Sequence, residues 1–319
     1  MSVLVFLESS DSQIKKSSIE ALVYGRSIAA KTGGALLALV VGEVSNISEA
    51  AAYGAEKVLQ ITDARFAQTD AQAYSEAIAD AAKQNSVHTM VLAKSSLTDS
   101  LTAKLAFLTY ATAATNVVSL PDFSNGFVVK RSIFTGKAFE LVKINSEDKV
   151  ISIKKNAVAI TESAAAGEVV PFSPILSDKA FSIKTISLEK ATGDVLLADA
   201  EIVVSGGRGL KGPENWGLIT GLAKVLGAAT GCSKPVSDLN WRPHHEHVGQ
   251  TGIKVSPNLY IAIGISGAIQ HVAGISSSKV IVAINKDADA PIFKAATYGI
   301  VGDAFEIVPK LTAAIKAAQ

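Results

Sequence analysis

The chain has 319 residues, of which 18% are charged, and its formal net charge is +1. This length allows two domains, while the low charge and the lack of a basic run argue against a nucleic-acid partner. The single cysteine, Cys232, excludes an internal disulfide and predicts a buried structural thiol in a reducing compartment. Because no apolar stretch reaches the ~18 to 20 residues of a membrane span, we expect a soluble protein.

The first half of the chain alternates short apolar segments with helical patterns, which is typical of a parallel sheet covered on both faces. The predicted strands are residues 3–7, 35–41, 57–61 and 89–93, and the predicted helices are residues 17–32 and 71–84. Residues 1–7 lack a basic leader and a cleavage site, so we interpret them as containing a strand rather than a signal peptide. The first turn, residues 8–12, has no glycine-rich phosphate loop, and we predict no nucleotide there.

The pattern changes after residue 126, where extended and partly alternating segments predict antiparallel strands added to the first sheet. These segments are residues 127–130, 133–134, 139–144 and 150–153. Residues 163–167 and 171–174, with their alanines, serines and prolines, form the loosest region by composition. We therefore place the domains at residues 1–188 and 189–319.

The C-terminal domain begins with a buried strand, residues 202–204, that runs into a glycine loop, residues 205–209. Such glycines fit either a tight turn or a phosphate-binding loop. Arg208 in the loop favours phosphate, because a guanidinium binds phosphate through two parallel hydrogen bonds. A helix is predicted to start near residues 214–216. Residues 231–235 and 249–252 are, taken singly, typical of turns.

A second unit of strand, small-residue turn and helix follows at residues 257–271. Small residues let a backbone approach a pyrophosphate, and the free N–H groups of a helix start favour the anion. The next buried strand, residues 280–284, ends in the polar residues Asn285 and Asp287, where an open parallel sheet presents its ligand-binding edge. Residues 298–303 repeat the pattern and end in an acid, Asp303. This succession predicts a dinucleotide site.

The histidine-rich segment at residues 244–247 invites a metal hypothesis, because imidazoles and a carboxylate this close together could bind zinc or nickel. However, the segment follows Pro243 without a helical pattern, and no other cysteine or histidine cluster completes a site. We prefer a loop near a cofactor or a partner subunit, and we predict no metal.

These segments together resemble the electron transfer flavoprotein alpha subunit family. The match is close across the C-terminal domain, whereas residues 1–188 resemble the family's N-terminal domain only in layout. Its most specific stretches are residues 204–209, 248–252, 259–271, 283–287, 290–293 and 298–303. The resemblance implies an α/β fold of two doubly wound domains, namely an N-terminal adenine-nucleotide-hydrolase-like sheet and a C-terminal FAD-binding Rossmann-like domain.

The resemblance also implies which positions bind FAD. They are Arg208, Ser233, Lys234, Gly249, Gln250, Thr251, Gly264, Ser266, Gly267, Ala268, Gln270, His271, Asn285 and Asp303. The turn around Ser266 would hold the pyrophosphate with Arg208 nearby, and Asn285 and Asp303 would lie at the adenosine end. Thr251 would bond flavin N5 beside Gln250, and His271 would face the O2 edge of the ring.

Each of these residue types also has an ordinary structural interpretation, since a lone histidine is commonly packed and polar residues commonly cap turns. The family context favours the cofactor role. A donor near O2, especially a cationic one, favours the anionic flavin that a one-electron carrier needs. One departure from the family is Lys234, where an arginine is usual; an ammonium is a hydrated point charge that does not stack on a ring as guanidinium does.

The implied protein is a redox carrier rather than a catalyst with its own substrate, and it transfers electrons in fatty acid beta-oxidation. It would pair with a beta subunit carrying AMP, take electrons from acyl-CoA dehydrogenases and pass them to a quinone oxidoreductase. With 48% hydrophobic residues, the chain is expected to bury surface against that subunit. We expect it in the bacterial cytoplasm or the mitochondrial matrix.

Two other functions share this architecture. One is a subunit of an electron-bifurcating, NADH-dependent flavoprotein, which needs a second FAD in the beta subunit. The other is an FAD or adenine-nucleotide sensor without electron transfer, because a doubly wound fold does not specify its chemistry.

Overall fold

The computed structural model describes residues 2–68, 70–136, 138–183, 186, 197 and 200–318. Contacts divide the chain into two units, Met1–Leu188 and Glu189–Gln319, called here the N-terminal and C-terminal units. The domain boundary that we place at residues 188 and 189 lies outside the described residues.

Strands and helices alternate through the N-terminal unit. Its strands are β1 (Ser2–Leu7), β2 (Ser9–Ser10), β3 (Gln13–Ile14), β4 (Leu36–Val41), β5 (Lys57–Ile61), β6 (Val87–Ala93), β7 (Thr112–Val117), β8 (Phe127–Ile133), β9 (Ala138–Ile144), β10 (Lys149–Ile153) and β11 (Glu168–Pro171). Its helices are α1 (Lys16–Thr32), α2 (Glu49–Ala52), α3 (Ala71–Gln84) and α4 (Ser96–Thr109).

Within the described residues, nine of these strands form one sheet in the order β11-β5-β4-β1-β6-β10-β7-β8-β9. Alternate residues of β1 face opposite sides of this sheet. Val3 and Val5 pack in the same core as residues of α1, whereas Leu4 and Phe6 pack in the core that contains residues of α3 and α4. Helices thus cover both faces, which confirms the predicted α/β fold of this unit.

The prediction of an antiparallel strand at residues 150–153 is wrong. β10 lies between β6 and β7 in the sheet and runs parallel to both. All five of its residues are buried, including Ser152. A polar residue between apolar ones is typical of a strand with one exposed face, and this pattern misled the prediction. The antiparallel prediction holds for β8 and β9, which pair with each other around a 3-10 turn at Phe134–Gly136.

A strand lies between the two segments that composition marks as loosest. β11 pairs in parallel with β5 at one edge of the sheet. Gly167 makes this approach possible, because a Cβ there would lie 2.1 Å from the Cβ of Ala51. The segment is therefore part of the N-terminal sheet.

The C-terminal unit repeats the doubly wound plan on a smaller scale. Its strands are β12 (Ile202–Gly206), β13 (Ala229–Cys232), β14 (Leu259–Ile263), β15 (Val280–Asn285) and β16 (Tyr298–Val301). Its helices are α5 (Gly217–Leu226), α6 (Lys234–Asp238), α7 (Ile269–Ile275) and α8 (Ala304–Ala318). In the described part of the chain these strands form a parallel sheet in the order β13-β12-β14-β15-β16.

The two faces of this sheet carry different helices. Residues of α5 and α8 share a core with Val204 and Ile261, and Ile275 of α7 shares the opposite core with Val203 and Tyr260. The chain therefore leaves β12 toward one face and β14 toward the other, although these strands are neighbours. A crevice forms at such a switch point, outside the carboxyl ends of the strands.

No helix among the described residues is long and apolar enough to cross a membrane.

Candidate functional site

The carboxyl edge of the C-terminal sheet gathers the loops that carry the predicted cofactor residues. Each strand of this sheet ends in one of them or has one within two residues of its end: Ser233 and Lys234 follow β13, Arg208 follows β12, Gly264, Ser266, Gly267 and Ala268 follow β14, Asn285 ends β15, and Asp303 follows β16. Because all five strands are parallel, these residues lie along one edge in sheet order.

The loops after β12 and β14 touch each other through their backbones at the switch point. The Gly207 N–H donates to the Ile263 carbonyl at 2.9 Å, and the Gly209 N–H donates to the Gly264 carbonyl at 3.0 Å. A Cβ at Gly207 would lie 2.2 Å from the Gly264 oxygen, so a side chain there would separate the two loops. The glycines that the sequence assigns to a phosphate loop therefore also hold the edge together.

The turn between β14 and α7 presents backbone donors. Gly267 adopts φ +86°, which residues with a side chain rarely adopt, and the Ser266 carbonyl accepts from the Ile292 N–H at 3.0 Å. Of the residues described, none provides an acceptor for the N–H groups of Ser266, Gly267 and Ala268. Three donors at a helix start are thus available to an anion.

The loop that carries Gly249, Gln250 and Thr251 packs between the end of β13 and the start of α7. The Val248 N–H donates to the Cys232 carbonyl at 2.9 Å, and the Gln250 N–H donates to the Gln270 carbonyl at 2.8 Å. The side chains of Gln250 and Thr251 are exposed beside these contacts. The structure therefore brings this loop to the β13 end of the edge, next to the start of α7.

Two cationic side chains lie on this edge, Arg208 after β12 near its middle and Lys234 after β13 at its end. Arg208 and Lys234 both have exposed side chains, whereas Ser233 is buried and its N–H donates to the Gly206 carbonyl at 3.1 Å. Lys234 is close enough to His247 that its charge, after burial and His244, helps to lower the pKa of that imidazole. This part of the edge is electropositive.

The far end of the edge carries polar side chains that already have protein partners. Asn285 donates through Nδ2 to the Ile265 carbonyl at 2.9 Å, and its Oδ1 accepts from the Asp287 N–H at 3.0 Å. Asp303 accepts from the Phe305 N–H at 2.9 Å at the start of α8. Both residues thus shape the turns after β15 and β16.

His271 is buried rather than exposed on the edge. Its Nε2 lies 3.0 Å from the Tyr260 hydroxyl, and its Nδ1 has no well-directed hydrogen bond among the described residues. Burial lowers the pKa of His271 to about 4, so the imidazole is neutral at physiological pH. His271 is therefore a neutral group in this structure and not the cationic donor that would most favour an anionic flavin.

The histidine-rich segment forms a 3-10 turn, His244–Glu246, near this end of the edge. Arg242 binds Glu246 through two hydrogen bonds, one of them 3.0 Å long. In the parts of the chain that the structure describes, no group of three or more histidine, cysteine, aspartate or glutamate residues could hold a metal ion.

Cys232 is buried, as predicted, and burial together with the Glu246 charge raises the pKa of its thiol to about 12. Since the thiolate is the reactive form, we expect the native chain not to react with a thiol reagent such as dithionitrobenzoate at pH near 8. The same chain in guanidinium chloride should release one equivalent of chromophore. Rapid reaction of the folded chain would contradict this burial.

Two family models match the chain. Residues 3–175 match the electron transfer flavoprotein domain, and residues 196–276 match the electron transfer flavoprotein FAD-binding domain. The chain belongs to the electron transfer flavoprotein alpha subunit family. The predicted resemblance is confirmed.

Full-length relatives support this membership. The electron transfer flavoprotein alpha subunit of Bacillus subtilis is 38% identical over 98% of this chain and 97% of its own length. The corresponding Pseudomonas aeruginosa protein is 37% identical over 99% and 100%, and the mitochondrial protein of rice is 34% identical over 98% and 89%. Asn285 and Asp303 lie beyond the FAD-binding model but within the span of these relatives.

The donors of this alpha-subunit edge fit a dinucleotide. The free N–H groups at the start of α7 and the exposed Arg208 suit the phosphates of a dinucleotide. The sequence analysis does not single out Tyr260, which it treats as one apolar position in a strand. The signal that could have identified it is its hydroxyl group, because a tyrosine hydroxyl buried within a strand needs a hydrogen-bond partner.

Proposed function

We propose that this chain is the FAD-binding alpha subunit of a heterodimeric electron transfer flavoprotein. It takes electrons from flavoprotein dehydrogenases, such as acyl-CoA dehydrogenases, and delivers them to a quinone oxidoreductase in the bacterial cytoplasm or the mitochondrial matrix. The supporting observation is the order of side chains along the carboxyl edge. Strands lie about 4.8 Å apart, so the four steps from β13 to β16 span about 19 Å, enough for an extended dinucleotide.

The middle of the edge would bind the pyrophosphate. The N–H groups of Ser266, Gly267 and Ala268 provide directed donors, and Arg208 provides a guanidinium from the neighbouring loop. Since charged acceptors strengthen hydrogen bonds to backbone N–H groups, this is the strongest anion-binding part of the edge.

The two ends would hold the rest of FAD. We assign the β13 end to the flavin ring, where Lys234, Gln250, Thr251 and His271 would contact it. The backbone of Ser233, Gly249 and Gln270 would support these side chains. Asn285 and Asp303 lie on the β15 and β16 side, which we assign to the adenosine. Bound FAD supplies one-electron transfer, and the protein holds it in place and offsets its charge.

A beta subunit, carrying AMP, completes the proposed heterodimer. The N-terminal unit offers an apolar surface for it on the β8–β9 hairpin, where Phe134 and Leu141 are 75% and 72% exposed and Phe139 is also exposed. β9 is moreover an edge strand. Exposed apolar side chains on a free sheet edge are typical of a docking surface.

Replacing Leu141 with glutamate should weaken binding of the beta subunit at least tenfold, because a charge would be buried in an apolar contact. Ile175→Glu is a matched control, since Ile175 is 78% exposed in the same unit but lies outside the hairpin. Titration of each purified alpha chain with a labelled beta subunit measures the effect. Equal affinities for the two variants would place the interface elsewhere.

Co-expression of the chain with an electron transfer flavoprotein beta subunit tests the proposed function. We expect a heterodimer that retains one FAD and one AMP and that accepts electrons in two separable one-electron steps during reductive titration. A complex that binds flavin but takes no electrons would indicate a sensor. A second bound FAD in place of AMP would indicate an electron-bifurcating protein.

A further inference from the structure

The buried pair of Tyr260 and His271 determines where the imidazole carries its proton. Tyr260 lies in β14 with 0% of its surface exposed, and His271 lies in α7 with 6% exposed. The hydroxyl and Nε2 are 3.0 Å apart, a normal hydrogen-bond distance, but the distance alone does not say which atom donates. The surroundings of the two groups decide this.

The phenol has a proton to donate and one acceptor within reach. Burial raises the pKa of Tyr260 well above its usual value, so the hydroxyl stays protonated. The nearby Ser205 hydroxyl lowers that pKa somewhat, yet its Oγ makes no well-directed hydrogen bond among the described residues. Leaving a buried donor unpaired costs about 1 to 3 kcal/mol. The phenol therefore donates to Nε2 of His271.

An imidazole whose Nε2 accepts a hydrogen bond carries its proton on Nδ1 when it is neutral. Burial lowers the pKa of His271, so the imidazole stays neutral. The Val248 carbonyl next to the ring raises this pKa in part, because it accepts a hydrogen bond from a protonated ring nitrogen. Val248 directly precedes the loop of Gly249, Gln250 and Thr251. The Nδ1–H group is therefore a buried donor beside the loop that we assign to the flavin ring.

We propose that Tyr260 is a positioning residue that holds His271 in the Nδ1–H tautomer, so that the neutral imidazole directs its one N–H at the Val248 carbonyl and fixes the start of α7 against the loop that we assign to the flavin ring. This inference rests on the proposed function for the identity of the ligand. The hydrogen bond between the two side chains, by contrast, belongs to the folded chain with or without FAD.

Nitrogen NMR of the histidine side chains, in the full chain with its co-expressed beta subunit, tests the tautomer directly. For wild-type His271 we expect a protonated Nδ1 and an unprotonated Nε2. In Tyr260→Phe, which keeps the ring in the core, the Nε2–H form should become populated. FAD should stay bound, while the equilibrium constant for the first electron should fall about tenfold, which is 59 mV for a one-electron couple.

Tyr298→Phe is the matched control, because it removes the hydroxyl of a tyrosine that is 65% exposed in the same unit. It should change neither the tautomer nor the potential. A protonated Nε2 in the wild type, or an unchanged first potential in Tyr260→Phe with FAD bound, would overturn the role of Tyr260 and leave the proposed function intact. A wild-type complex that binds no flavin would overturn both.

Discussion

Replacing Gly267 with alanine should lower the free energy of unfolding of the C-terminal unit by about 2 to 5 kcal/mol. Gly267 has φ +86°, and an added Cβ would lie 2.3 Å from the backbone nitrogen of Ile292. Neither side can yield easily, because that nitrogen donates to the Ser266 carbonyl. The variant must therefore shift the turn after β14 or the segment that packs on it.

Tryptophan fluorescence in the absence of FAD measures this loss, since both tryptophans, Trp216 and Trp241, lie in the C-terminal unit. Gly221→Ala in helix α5 is the matched control, because an added Cβ there has no neighbouring heavy atom within 4 Å. Alanine should stabilise that helix by about 0.5 to 1 kcal/mol. An unfolding midpoint of Gly267→Ala equal to that of wild type would show that the turn relaxes freely.

Replacing Ser266 with aspartate should reduce FAD retention at least a hundredfold. Ser266 is exposed at the turn that leads into α7. If the pyrophosphate binds there, a carboxylate about 4 Å from a phosphate charge opposes binding by about 4 kcal/mol at an effective dielectric of 20. The same carboxylate suits a helix start, so the FAD-free protein should remain folded.

This difference separates a lost binding site from a damaged fold. Flavin content after gel filtration reports the binding, and thermal unfolding without FAD reports the fold. Ser276→Asp places the same charge at the opposite end of α7, on a residue that is also exposed, and should retain FAD. Full flavin occupancy of Ser266→Asp would mean that the pyrophosphate lies away from the start of α7.

The sequence predicts four of the five described strands of the C-terminal sheet because each gives a local signal. It misses β13, which includes Gly231 and Cys232 from a segment that the sequence analysis interprets as a turn. Each of β12, β14 and β15 is an apolar run that ends in, or is followed directly by, a glycine or a polar residue, and both are typical of the point where a buried parallel strand meets its loop. Parallel topology places the loop residues at one edge of the sheet, but their order along this edge requires the strand order that the structure gives. The cofactor roles of these residues come from the family resemblance rather than from the strand pattern.

The features that sequence analysis misses depend on distant neighbours. The direction of β10 is fixed by β6 and β7, and nothing in its own five residues distinguishes a parallel from an antiparallel partner. The charge state of His271 likewise depends on burial, which a sequence pattern does not report. Tyr260 acquires a role only because helix α7 packs His271 against it.

The position of β10 also determines when the N-terminal unit can fold during synthesis. β6 and β7 leave the ribosome first, but they are not neighbours until residues 149–153 fill the space between them. A nascent chain that ends before residue 149 therefore exposes two unpaired strand edges. Such edges recruit other strands, so translational pausing or truncation in this interval should promote aggregation, and chaperones that bind extended apolar segments should act there.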